Sequence, residues 1–161
     1  MARLYVGTYA KYNNGSIAGA WVDLDKFKDK EAFIEHCQKL HADEDDAEFM
    51  FQDFEGFPKR FYSESGIDDE LFDFLALDED EKLLLEAYIE ASGDVLATID
   101  DANDAYQGQY NNDIDFVSEL LESCGDIPEN MPNYIVIDWE MTARNIMFDY
   151  VEANGYYFRT C

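Results

Sequence analysis

The chain has 161 residues, with 37 Asp or Glu against 11 Lys or Arg, a formal net charge of −26, and it is 47% hydrophobic and 16% aromatic. Acidic chains that stay unfolded are poor in aromatic and branched apolar residues, so the 12 Phe, 11 Tyr and 2 Trp predict folding, as one domain or two or three small units. The charge excludes direct binding to DNA, RNA or anionic lipid, which attract Lys and Arg, and points to a basic partner.

Residues 3–9 (RLYVGTY) are β-branched and aromatic and predict a strand. Asn13-Asn14-Gly15 is a turn signal, and residues 17–22 (IAGAWV) predict a second strand. The aromatics of this region, Tyr5, Tyr9, Tyr12 and Trp21, are expected in a core, since a base-stacking platform would need a basic groove. Asp29 caps a predicted helix carrying Phe33, Ile34, Cys37 and Leu40 at helical spacing. From Glu48 to Phe54, Phe49, Phe51 and Asp53 alternate with Met50, Gln52 and Phe54, predicting a third strand before Gly56-Phe57-Pro58. Residues 1–61 thus read as an N-terminal α+β domain with a small antiparallel sheet and a helix.

Residues 62–103 contain no Pro and no strand-like run, and predict a central helical domain. Asp68 or Asp69 caps a short helix through Leu71, Phe72, Phe74 and Leu75. A second runs from Glu79 to Ala91, ended by Gly93, with Glu79, Lys82, Glu86 and Glu90 on one stripe opposite Leu84, Leu85, Tyr88 and Ile89. A third is expected to follow Asp94 through Val95, Leu96 and Ile99.

Residues 104–161 predict a C-terminal α+β domain: a short strand in AYQGQY, then a helix from about Asp113 to Cys124 with Gly125 as its C-cap. A loop punctuated by Pro128 and Pro132 leads to the apolar run 134–139 (YIVIDW). A helix from about Glu140 to Glu152 and a strand near Tyr156-Tyr157-Phe158 close the chain. The fold class expected is α+β, a chain of three small domains.

The charge is unevenly spread. Residues 1–60 hold 12 acids and 8 bases, residues 61–143 hold 23 acids and the single base Lys82, and residues 144–161 hold two of each. A solvated or halophilic face is the plain alternative, but halophilic chains spread acid throughout, and the N-terminal third here is nearly balanced. Carboxylates about 6 Å apart along a helix repel by a few tenths of a kcal/mol per pair, and the sequence accepts that cost repeatedly.

Catalytic and metal motifs are missing. The sequence contains no GxxxxGK[ST], GxGxxG or GxSxG. EF-hand spacing needs a Gly at the sixth position, which the stretches at Asp23/Asp25, 43–48 and 100–104 all lack. His36 and His41 flank Cys37, but a stable zinc site needs three or four protein ligands, so a buried Cys37 and surface or helix-end histidines are expected. A Cys–His nucleophile pair would lack an orienting partner, and no one pair of carboxylates stands out as acid and base. Neither enzymatic activity nor a cofactor is expected. Cys37, Cys124 and Cys161 are odd in number and far apart, which argues against a disulfide framework. No run reaches the roughly 18 apolar residues of a bilayer span. The N-terminus lacks an apolar leader segment, so a cytoplasmic location is expected, and the Asn14-Gly15-Ser16 sequon is read as chance.

What remains is negative charge on a folded scaffold. Duplex DNA carries one charge per about 1.7 Å of axis, so 26 charges match roughly 13 base pairs. Carboxylates at that density suit a groove built for DNA, or a basic protein in need of an acidic chaperone or adaptor.

The opening RLYVGTYAKYNNGSIAGAWVDL resembles the start of the ArdA family of antirestriction proteins, and the resemblance continues through AFIEHC and FQDFEGFP. ALDEDEKLLLEAYIEASG is similar to that family's acidic central segment, and ELLESCGDIPENMPNYIVIDWEMTARNIMFDY to its C-terminal block. The resemblance implies a DNA mimic carried on mobile elements such as plasmids or conjugative transposons. It implies binding to the methyltransferase and specificity subunits of type I restriction–modification enzymes, and an elongated homodimer of three-domain protomers. On this reading Asp43, Glu44, Asp45, Asp46, Asp68, Asp69, Asp73, Asp78, Glu79, Asp80, Glu81, Glu86, Glu90, Asp94, Asp100, Asp101, Asp104, Asp113 and Asp115 stand in for phosphates. The family's antirestriction motif resembles Glu119 to Pro132, a segment associated with dimerisation. That implies an interface of Glu119, Leu120, Glu122, Ile127, Pro128, Met131 and Tyr134.

Overall fold

The computed structural model describes residues 1–160. The fold is α+β, with two three-stranded antiparallel sheets and seven α-helices among the described residues. The chain divides into two compact units, Met1–Asp78 and Glu79–Cys161.

In the first unit, β1 (Arg3–Thr8) lies between β2 (Ala20–Asp23) and β3 (Phe49–Glu55). Leu4 and Val6 of β1 face inward and meet Phe33 and Cys37 of α2 (Lys30–Leu40) and Leu71 and Phe72 of α3 (Asp69–Ala76) in one core. Phe33 is its hub, with ring centroids 6.0 Å from both Phe51 and Phe72. Fully burying one such phenylalanine stabilises by about 1.5–3 kcal/mol. The sheet is covered on this face alone.

Two features depart from the expected pattern. A five-residue helix, α1 (Tyr9–Asn13), begins where β1 stops, because the Thr8 hydroxyl caps it by accepting from the Lys11 N–H. In β3 the pairing steps from Tyr5↔Asp53 to Val6↔Phe51, leaving Gln52 as an extra residue. The bulge breaks strict alternation, so Met50 and Phe51 are both buried. Gly56 has φ +81, and a Cβ there would lie 2.1 Å from the Met1 carbonyl oxygen, so only glycine fits.

The second unit is a three-layer arrangement. Its sheet has the order β4 (Tyr106–Gln109), β6 (Tyr156–Arg159), β5 (Tyr150–Ala153). Adjacent residues of β6 point to opposite faces. Phe158 joins Ala87 and Tyr88 of α4 (Glu79–Ser92) and packs with Ala105 of α5 (Ile99–Ala105). Tyr157 faces Phe116 and Val117 of α6 (Asp113–Cys124) and Ala143 of α7 (Trp139–Ile146). The Tyr157 and Phe116 rings stack at 4.6 Å. Gly125 caps α6 at φ +73, as expected.

The division at 78/79 does not coincide with the expected boundaries at 61/62 and 103/104. Helices assigned to a central domain are shared between two cores: α3 packs into the first unit, and α4 and α5 pack onto the sheet of the second. Two elements are corrected. The helix expected after Asp94 starts only at Ile99, because Asp94 folds 94–97 into a turn by accepting from the Leu96 N–H, while Thr98 and Asp101 form a capping box. The helix expected to reach Glu152 ends at Ile146, and after a 3-10 turn at 147–149 the chain enters β5. Asn154 (φ +53) and Gly155 (φ +84) then form the tight turn of a β5–β6 hairpin.

Candidate interaction surface

Sixteen of the nineteen carboxylates expected to stand in for phosphates are exposed, and Glu44, Glu81 and Glu86 are half-buried. In the first unit, Asp69 and Asp73 lie one turn apart on α3, beside the exposed Glu70. Exposed Asp68 and Asp78 flank that helix.

The loop after α2 carries Asp43 to Asp46 and is tied down by one lysine. The Lys11 ammonium donates to Asp43 Oδ1 at 3.0 Å and lies 3.4 Å from Glu44 Oε2. It also donates to Nδ1 of His41 at 2.7 Å. The Thr8 hydroxyl donates to Glu44 Oε2 at 2.8 Å. The hydrogen bond from Lys11 holds the Asp43 carboxyl below its ordinary value, and the same bond to Asp43 raises the Lys11 ammonium. Asp45 and Asp46 are exposed on the same loop. His41 ends α2 as expected but is buried rather than on the surface, whereas His36 is exposed. Cys37 is buried, and burial pushes its thiol up to about 12.

In the second unit, 19 acids face only Lys82, Arg144 and Arg159, a net charge of −16, against −10 for the first. Exposed carboxylates come from α4 (Glu79, Asp80, Glu90), α5 (Asp100, Asp101, Asp104) and α6 (Asp113, Asp115), with Asp94 on the intervening turn. The Glu79–Glu90 stripe of α4 is less open than its spacing predicts. Lys82 pairs with Glu79 at 3.2 Å, Lys82 and Glu86 are half-buried, and Glu90 accepts from Asn154 Nδ2 at 2.9 Å.

Several of these acids also hold the fold. Asp113 accepts from the buried Tyr157 hydroxyl at 2.7 Å, and burial together with this bond raises the phenol. Asp101 accepts from the Thr98 N–H at 2.8 Å, the chief reason its carboxyl is lowered. Exposed acids that the motif-based reading missed include Glu48, Asp53, Glu55, Glu64, Asp126, Glu129 and Glu140. Counting acids along the whole chain would have found them.

The aromatics of the first strands are not core. Trp21 is 37% exposed because β2 turns it to the open face of a one-sided sheet, and Tyr12 is 52% exposed on the short helix α1. Arg3 lies over the Trp21 ring at 4.7 Å and pairs with Glu55 at 2.7 Å.

Of the residues expected at a dimer interface, Glu119, Glu122, Pro128 and Tyr134 are exposed, and Leu120, Ile127 and Met131 are half-buried. Leu120 packs against the core around Phe116 and Tyr157 of its own chain. The exposed apolar run continues past Tyr134 (86%) to Ile135 (48%) and Val136 (84%), two residues not assigned to the interface. The signal lay in YIVIDW, an apolar run with no strand partner.

Among the described residues, one group could hold a metal: His41, Asp43 and Glu44, whose ligand atoms lie within 4.8 Å of one another. The Lys11 ammonium sits at that point and supplies the positive charge. A shallow cleft of about 780 Å³ between α6 and α7 is lined by residues including Asp113, Arg144 and Tyr157, but by no Ser, Cys, Lys or His. Among the described residues no helix is long and apolar enough to cross a membrane.

Fold and surface together define a folded α+β protein that displays carboxylates. The family model of the antirestriction protein (ArdA) matches residues 4–159, and the chain belongs to that family. Membership implies antirestriction function and interaction with restriction enzymes, as an inhibitor. A comparison with curated proteins found no match.

Proposed function

We propose that the protein is an acidic mimic of duplex DNA that fills the DNA groove of a type I restriction–modification enzyme, between its methyltransferase and specificity subunits. The observation that carries this reading is the second unit: net charge −16, with exposed carboxylates on three helices around a rigid aromatic core. A groove lined with Lys and Arg for phosphates meets the same charge here, and release of the groove's own counterions makes binding salt-sensitive. Asp43–Asp46, Asp68, Asp69, Asp73 and Asp78 extend the display within the first unit. Two copies joined through Glu119–Tyr134, with Ile135 and Val136 added, would double the charge. The test is to mix the full chain with a type I methyltransferase bound to a duplex containing its recognition sequence. Stoichiometric release of the duplex supports the reading, and no release at low salt refutes it.

A further inference from the structure

The open face of the first sheet is built from two cross-strand rows. Register sets Trp21, Tyr5 and Asp53 side by side, and Asp23, Arg3 and Glu55 beside them. Tyr5 meets Trp21 edge to face, with centroids 5.6 Å apart, and its hydroxyl donates to the Ile17 carbonyl at 2.8 Å. These contacts hold the indole upright while leaving it 37% exposed.

One guanidinium already occupies this face. Arg3 lies over the indole and pairs with Glu55, so an aromatic plane and a carboxylate engage the same cation from two sides. A planar guanidinium uses both contacts, whereas a compact ammonium matches them less well. Asp53 is exposed beside them and leaves the face acidic overall.

We propose that this face is an arginine-docking site, at which an arginine of a basic protein partner displaces Arg3 from Trp21 and Glu55. The inference rests on the proposed function for the identity of the partner, and extends it from collective charge to one defined contact. Arg3 acts as an internal competitor that keeps the indole and carboxylate paired until a partner arrives.

The test titrates the full chain with hexaarginine and with hexalysine, following the indole N–H signals by NMR, with Trp21 identified in a Trp139→Phe variant. The Trp21 signal should shift saturably with hexaarginine, and hexalysine should bind about three- to fivefold more weakly. Arg3→Gln should raise hexaarginine affinity about threefold over Lys28→Gln, which removes the same charge at a residue 85% exposed. Glu55→Gln should lower it. Equal affinity for both peptides with an unmoved Trp21 signal, or no difference between Arg3→Gln and Lys28→Gln, overturns the docking site. Duplex release from the methyltransferase is measured in parallel on the unmutated chain. Release with a negative peptide result removes the docking site alone, and absence of release removes the proposed function while the peptide result still decides the site.

Discussion

The Lys11 ammonium donates to Nδ1 of His41 across 2.7 Å, and this fixes the imidazole tautomer. Nε2 carries the proton and gives it to the Val6 carbonyl 3.0 Å away, so both ring nitrogens are committed inside a 2% exposed site. His41→Phe keeps the ring but removes two hydrogen bonds, the one to the Val6 carbonyl and the one from Lys11. It should cost about 1–3 kcal/mol in urea unfolding and speed amide exchange in the 42–46 loop. Unchanged exchange there would show that Lys11 does not order the loop.

Acid unfolding carries a defined sign. Asp43 and Asp101 titrate below the ordinary 3.8 in the folded protein, so each contributes stability above about pH 4 that fades as pH falls through its lowered value. Lys11 is raised above 10.5, so its contribution is complete below that pH and fades as pH rises through the raised value. Asp43→Asn and Asp101→Asn should therefore destabilise at pH 7 and change little at pH 2. Urea midpoints at both pH values check this, and an equal deficit at both would contradict it.

Excess charge works against the compact state. With a net charge of −26, screening should stabilise the fold, raising Tm by about 5 °C between 10 mM and 500 mM NaCl. Scanning calorimetry across that range checks it. A Tm that falls with salt would mean that ion pairs such as Lys11–Asp43 outweigh repulsion.

Binding to the methyltransferase should respond to the number of charges removed. Asp73→Asn alone should change affinity less than about threefold, since one exposed pair is worth about 0.2–1 kcal/mol. Joint neutralisation of Asp69, Asp73, Asp80, Asp100 and Asp104, all exposed, should weaken it by at least about tenfold. Competition against labelled duplex measures both. Loss of binding from the single variant would point to a localised site.

Tyr157→Phe keeps the ring stacked on Phe116 but leaves Asp113 without its hydroxyl donor. The expected loss is about 1.5–3 kcal/mol, the range for hydrogen bonds to a charged group. Because Asp113 is also a proposed phosphate stand-in, methyltransferase affinity measured below the melting range should hold. A parallel loss of affinity would mean that the bond also aims the carboxylate.

Local signals were readable wherever one mechanism acts alone. Asp29, Gly125 and the apolar spacing of α2 and α6 predicted those helices, because caps and periodicity are local. The β3 bulge was not readable, since it arises from pairing with β1, a contact with no trace in the spacing of Phe49 to Phe54. β5 is legible in principle, since Tyr150 and Val151, then Asn154-Gly155, then Tyr156 to Phe158 spell a hairpin, but the helical pattern that starts at Glu140 masks it. The acids were visible as charge. Their second roles, Asp113 on Tyr157 and Asp43 on Lys11, depend on partners 44 and 32 residues away. The open face of the first sheet escaped because aromatic strands read as core when nothing local tells which side is covered.

In the second unit the strand in the middle of the sheet, β6, comes after every other element of that unit in the chain. During synthesis, α4 to β5 are therefore complete before the strand that both cores require has emerged. Until then both layers lack their central strand, and the like-charged helices lack the Tyr157 and Phe158 rings that complete the two cores. Charge repulsion keeps such a nascent segment extended and disfavours premature collapse, leaving β6 to trigger both layers at once. Tyr157 and Phe158, neighbours on that strand, thus set the moment at which the acidic surface takes its shape.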